Sequence, residues 1–184
     1  LPGLNGPWYW EWPWRRLDAA QMVPGMLAAA IPFAAAQFYF SAGKLGIRSA
    51  LILLALSTFL LELVSIGNQG PGFDIRRIVL VVQNPVITSY FTDAVQFGDV
   101  AEGLGDYPDR MAGFHLHSIN KPPGPILYYV AFSRAFGPGW GAMWGGLMLG
   151  VFAAAAVAAT YGLARRFGAT REAGFAAASY FATC

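Results

Sequence analysis

The chain has 184 residues, of which 56% are hydrophobic, 15% aromatic and only 12% charged, against about a quarter charged in an ordinary soluble domain. A formal net charge of +2 with dispersed bases provides no surface for nucleic acid, and the single cysteine, Cys184, excludes an intrachain disulfide and a cysteine-based metal site. The class that remains is an all-α integral membrane protein whose first partner is the lipid bilayer.

The first element, residues 1–20, is a Trp-rich segment (WYWEWPW from Trp8) suited to the headgroup region, where the amphipathic indole ring is most stable. Gln21 to Ser41 carries no charge, and Ile47 to Ile66 carries only Arg48 and Glu62 near its ends. Both reach the roughly 20 residues that cross a hydrocarbon core of about 30 Å, so residues 21–66 read as two transmembrane helices. Glu62 lies about one turn from the end of its helix, close enough for its charge to reach the interface. Residues 67–139 form a long loop, and residues 140–163 a third span with Trp140 and Trp144 at one end and Tyr161 at the other. Within that span Gly141-x-x-x-Gly145 and Gly146-x-x-x-Gly150 predict close approach of other helices. Residues 164–172 are a basic turn. Residues 173–184 are apolar but too short to cross, and read as the start of a truncated transmembrane helix in an N-terminal fragment of a larger multi-span protein.

Pro125 to Phe136 decides the topology. If this short apolar stretch crosses the membrane, Lys44/Arg48 and Arg165/Arg166/Arg171 fall on opposite sides. If it is a juxtamembrane helix, all of these bases share one side, as the positive-inside bias prefers. The expected architecture is therefore a multi-span helical bundle with residues 1–20 and the long loop outside, the loop containing juxtamembrane helices, and the basic turns in the cytoplasm. Arg15 and Arg16 argue the other way but are outnumbered.

The loop is the hydrophilic body of the chain. Ile78 to Val82 is a β-branched run too short to cross, and Asn84-Pro85 reads as a turn or helix start. From Thr88, Tyr90, Ala94 and Phe97 recur at spacings of four and three, which predicts one face of a short helix with Asp93 near that face. Gly- and Pro-rich sequence from Gly98 to Pro108 then leads to His115-Leu-His117-Ser-Ile-Asn120-Lys121-Pro122-Pro123-Gly124.

Several of these residues can carry chemistry. Asp93 suits a general base or a group that orients a reacting hydroxyl, or else a solvated helix carboxylate. His115 and His117 alternate with Leu116, so an extended backbone would point both the same way; they could hold a divalent metal with a loop carboxylate or simply bond backbone, and no third ligand stands at a recognisable spacing. Lys121 precedes two prolines that stiffen the backbone and lack N–H donors, which suits a point charge held at a membrane-proximal phosphate or a lysine snorkelling to the headgroups.

Ser89-Tyr90-Phe91-Thr92-Asp93-Ala94, then Lys121-Pro122-Pro123-Gly124 with Leu127-Tyr128-Tyr129, Phe136-Gly137, and Leu163-Ala164-Arg165-Arg166-Phe167-Gly168 follow the order and spacing of a known group. From Asn84 to Gly168 the chain resembles the GT-C superfamily, and within it is similar to protein O-mannosyltransferases and lipid A aminoarabinose transferases. The resemblance implies a plasma-membrane glycosyltransferase that moves a sugar from a polyprenyl-phosphate donor to an extracytoplasmic glycan, lipid or protein acceptor. It also implies that a carboxylate of the outer loop acts at the acceptor and that the His/Lys-Pro-Pro region, here His115, His117 and Lys121, lies near the lipid phosphate. The family's Asp-Glu pair before the tyrosine is replaced by Val86 and Ile87, so Asp93 is the substitute catalytic residue and Asp109 the reserve. The first span is an addition to the usual plan. The sequence sets no cofactor; a divalent metal on His115 and His117 is the one candidate. The alternatives are a transporter or channel subunit, which would need polar residues along the spans, and an assembly protein whose loop binds a partner.

Overall fold

The computed structural model describes residues 19–68, 72–115 and 117–183, so the Trp-rich segment before residue 19 lies outside the described residues. Among them every regular element is a helix, and three helices are long and apolar enough to cross a membrane. The long helices are α1 (Ala19–Ser41), α2 (Ile47–Gly67) and α7 (Gly124–Arg166), with α8 (Arg171–Phe181) closing the order. Between α2 and α7 lie the short helices α3 (Arg77–Gln83), α4 (Tyr90–Val95), α5 (Val100–Gly105) and α6 (Tyr107–Arg110), and a 3₁₀ turn at Met111–Gly113.

α1 and α2 form an antiparallel hairpin. Small residues set the spacing: Ala36 and Ala50 are fully buried, and the Ser57 hydroxyl donates to the Ala29 carbonyl at 2.6 Å across the pair. α8 packs on the same pair, stacking Phe175 on Phe40 with 4.1 Å between ring centres and joining Gln37 to Ser179 at 2.6 Å. The Arg171 guanidinium lies 4.9 Å over the Phe40 ring. These contacts put the α1–α2 turn, with Lys44, and the α7–α8 turn, with Arg165 and Arg166, at one end of the packed helices. The short helices of the loop gather at the other end, where Ile78 and Val82 of α3 pack with Ile126 and Tyr129 of α7.

α7 is not one straight helix. Gly137 has φ 76° and ψ 164°, a conformation that disfavours any residue with a Cβ, and Pro138 follows it. The chain reverses there, so residues 124–136 form a first arm that folds back on the second. The Tyr128 hydroxyl donates to the Gly145 carbonyl at 2.7 Å, and the Phe136 and Trp144 rings lie 6.2 Å apart. Arg134 of the first arm bonds the carbonyl of Gly98, tying that arm to the loop. The break falls between residues 125–136 and the stretch that begins at residue 140. The reversal was not anticipated, although Gly137-Pro138 is the kind of dipeptide that ends a helix.

The glycine pairs of the third span serve three different neighbours. A Cβ on Gly141 would come within 2.7 Å of the Ser133 backbone, one on Gly145 within 2.7 Å of the Tyr129 ring, and one on Gly146 within 2.3 Å of Ile78. On Gly150 it would meet the Glu62 carboxylate at 2.7 Å. Glu62 of α2 thus lies against Gly150 of α7, half-buried.

Gly141→Ala gains up to about 1 kcal/mol of helix propensity, whereas overpacking costs about 1–3 kcal/mol, and the obstructing atoms are backbone, which cannot rotate away. The clash wins. Gly162 faces open space, so Gly162→Ala keeps only the propensity gain. Thermal melting in detergent should therefore rank Gly162→Ala at or above wild type and Gly141→Ala below it. A Gly141→Ala protein that melts no lower than wild type would mean that the two arms do not approach this closely.

The Gly- and Pro-rich stretch expected to be loop contains α5 and α6. The reason is local: the Asp99 carboxylate accepts from the backbone N–H groups of Ala101 and Glu102 at 2.9 and 3.1 Å and so starts α5. These bonds, Glu102's first and Ala101's second, hold the Asp99 carboxyl below its usual range. A depressed carboxyl of this kind supports the folded state above the unfolded carboxyl range and loses that support as pH falls through the folded one.

Candidate functional site

The site begins with the turn before α4. The Asn84 side chain accepts from the backbone N–H of Val86 at 2.9 Å, and Ser89 then takes φ 46°, unusual for a residue with a side chain. Ser89 is fully buried and its hydroxyl lies 3.2 Å from that of Ser118, also fully buried. The backbone N–H of His117 donates to the Ser89 hydroxyl at 3.2 Å. This buried pair fastens the histidine segment to the start of α4.

One turn into α4, the predicted apolar face forms. Of that face Ala94 and Phe97 are buried and Tyr90 half-buried; Phe91, not part of the expected face, is buried as well and meets Tyr129 of the first α7 arm edge to face at 5.6 Å. Asp93 is buried with them, its side chain only 2% exposed. A carboxylate so placed needs hydrogen-bond donors to offset its lost hydration. His115 provides them: its Nδ1 lies 2.6 Å from Oδ1 of Asp93, and its backbone N–H faces both carboxylate oxygens at 3.4 and 3.3 Å.

The two histidines therefore do not act together. His115 turns to Asp93, whereas His117 directs Nε2 to the Val86 carbonyl at 3.0 Å. The expectation that both point the same way required an extended backbone, but residues 117–120 form a turn. Among the described residues no group of three or more metal-binding side chains converges.

Asp93 and Asp109, the two carboxylates singled out in the sequence, line one cavity of about 380 Å³ with Gln96, Phe97, Arg110 and Phe114. Asp109 is exposed on its rim. Arg110 is engaged with Glu102 at 3.2 Å and Asp106 at 3.9 Å. Tyr107 ties the cavity to Lys121: its hydroxyl donates to the Lys121 carbonyl at 2.9 Å. Burial, then the nearby Asp93 charge, then Tyr90 push the Tyr107 phenol above its ordinary value, so it stays a hydrogen-bond donor. The Lys121 side chain is exposed and pairs with none of the described residues, immediately before the N-terminus of the first α7 arm.

Sequence reasoning singled out Asp93, Asp109, His115, His117 and Lys121 and gave no role to Ser89, Tyr107 or Ser118. Nothing in local spacing announces those three, because each acts through a partner distant in the chain. A second, mostly apolar cavity of about 520 Å³ lies between α2, α3, α7 and α8, lined by Leu61, Glu62, Val82, Leu149 and Ala153, with Thr88 and Tyr129 toward the loop. No family model, characterised protein or solved structure matches the chain.

Proposed function

We propose that this protein is a GT-C-like glycosyltransferase that moves a sugar from a polyprenyl-phosphate donor to an extracytoplasmic glycan, lipid or protein acceptor. The observation that carries the reading is one cavity lined by Asp93 and Asp109, with His115 bonded to Asp93 beside it and Tyr107 joining the same region to Lys121, whose side chain pairs with none of the described residues, at the end of the apolar helices away from the basic turns. The donor is already activated, so the protein has two tasks: to orient and deprotonate the acceptor, and to stabilise the departing phosphate. The Asp93–His115 pair suits the first task. Lys121 suits the second, because its backbone is held by Tyr107 and stiffened by Pro122 and Pro123, and the positive end of the α7 helix dipole lies beside it. The apolar cavity of about 520 Å³ beside Thr88 is compatible with the isoprenoid chain of such a donor. His117, with its ring on the Val86 carbonyl, positions the loop and is a weaker choice for the phosphate than Lys121.

Lys121→Ala should weaken binding of a short-chain polyprenyl-phosphate sugar by about 10- to 100-fold, the value of one charge-assisted hydrogen bond. Titration of the purified protein with such donors checks this. Donor affinity unchanged in Lys121→Ala would make Lys121 a headgroup-snorkelling side chain and remove the phosphate role.

In this reading the protein resides in the plasma membrane with the basic turns in the cytoplasm. Cysteines placed at positions 44, 120 and 166 in a background lacking Cys184 should divide accordingly, 120 reacting with a membrane-impermeant thiol reagent from outside and the other two protected. Reaction of position 166 from outside with position 120 protected would invert the layout and put the cavity on the wrong side for an extracytoplasmic acceptor.

A further inference from the structure

We infer that His115, not Asp93, takes the acceptor's proton, and that Asp93 is a positioning residue behind it; this rests on the sugar-transfer reading above. Exposure separates the two groups: the Asp93 side chain is 2% exposed and the His115 side chain 39%. Asp93 contributes to the cavity wall, yet both its oxygens face donors on His115. A carboxylate only accepts, so the proton between them belongs to Nδ1, and the neutral ring keeps its lone pair on Nε2. Among the described residues nothing bonds Nε2. The arrangement is that of a base with an orienting carboxylate behind it, the geometry in which imidazole becomes an effective proton acceptor near neutral pH.

The charged and titratable groups around the pair do not replace it. Tyr107 of α6 is engaged with Lys121, Arg110 with Glu102 and Asp106, and Asp109 lies exposed on the rim. Tyr90 belongs to α4 itself, and Tyr129 of the first α7 arm packs behind Phe91. In the transfer step the acceptor O–H proton passes to His115 Nε2 while the acceptor oxygen bonds to the anomeric carbon. The bond from that carbon to the phosphate oxygen breaks, and its electron pair leaves on the polyprenyl phosphate. The imidazolium so formed is stabilised by the Asp93 carboxylate and later returns its proton to water.

The test has two arms. The protein contains two histidines, so His117→Gln leaves one imidazole signal, and ¹⁵N NMR of the solubilised protein reads His115 alone. Neutral His115 should carry its proton on Nδ1, and adding Asp93→Asn should move that proton toward Nε2, because the amide NH₂ can turn toward Nδ1. In the second arm, transfer from a panel of short-chain polyprenyl-phosphate sugars to cell-envelope acceptors is measured for wild type and variants. His115→Gln should lower that transfer about 10²- to 10⁴-fold without loss of donor affinity, and added imidazole should partly restore His115→Ala. A neutral His115 protonated on Nε2, with the tautomer unmoved by Asp93→Asn, overturns the inference whatever the transfer rate. Full transfer by His115→Gln overturns it too, while leaving the sugar-transfer reading intact. Absence of transfer by the wild type from every donor overturns that reading and the base assignment with it, even with the proton on Nδ1.

Discussion

Asp93→Asn should lower sugar transfer by about 10²- to 10⁴-fold while leaving donor affinity within about twofold. The two effects separate because Asp93 and Lys121 serve different reactants. The substitution keeps the shape of the side chain, so the packing of Phe91, Ala94 and Phe97 around it should hold. What is lost is charge: an amide stabilises imidazolium far less than a carboxylate at 2.6 Å, and its NH₂ can turn toward Nδ1 and impose the wrong tautomer on His115. Lys121 is untouched, since it depends on Tyr107 and the two prolines. Donor titration and initial transfer rates, measured separately on the same preparation, decide the matter. Transfer within about twofold of wild type would remove Asp93 from the chemistry. A full loss in Asp109→Asn with Asp93→Asn unaffected would move the role to the exposed carboxylate on the cavity rim.

The long helices were legible in the sequence because a hydrocarbon core imposes length and uniform apolarity, both of which are local properties: Gln21 to Ser41 and Ile47 to Ile66 coincide closely with α1 and α2. The placing of Asp93 near the apolar face was legible for a similar reason, since Tyr90, Ala94 and Phe97 mark a face and three positions from Tyr90 falls near it; its full burial was not. His115 as its partner was not, because a contact across 22 residues depends on how the Ser89–Ser118 pair and the Tyr107–Lys121 bond fold the loop. α5 and α6 were missed although Asp99 supplied a readable cap; glycine and proline content outweighed it in the reading. α3 was read only as a run too short to cross, and its β-branched residues adopt a helix because Ile78 and Val82 gain burial against α7. The reversal at Gly137 turns a neighbour in sequence into a packed partner in space, which periodicity alone does not reveal.

Phe97→Ala should destabilise the loop end of the protein by about 3–5 kcal/mol, the range for removing a buried aromatic side chain, and leave the α1–α2 pair unaffected. Phe97 is 2% exposed and lies between two parts of the site. Its ring packs against Gly103 of α5 so closely that a Cβ there would come within 2.6 Å, and it lies 6.3 Å from the Tyr107 ring of α6. It also forms part of the cavity wall beside Asp93. α5 and α6 are short and have few other anchors: Tyr107, the exposed pairs of Arg110, and the bond from Arg134 to Gly98. Exposed ion pairs contribute little, about 0–1 kcal/mol, so the remaining contacts cannot offset the loss. The expected result is local opening, with amide hydrogen exchange in α5 and α6 faster by about 10²- to 10³-fold and exchange in α2 unchanged. Transfer should fall as well, because an unanchored Tyr107 no longer holds the Lys121 carbonyl. Leu104 of α5, 40% exposed, is the control, and its change to alanine should cost under about 1 kcal/mol. If Phe97→Ala accelerated exchange equally in α2 and α5, the loop end would not be the separately stabilised unit on which the proposed site depends.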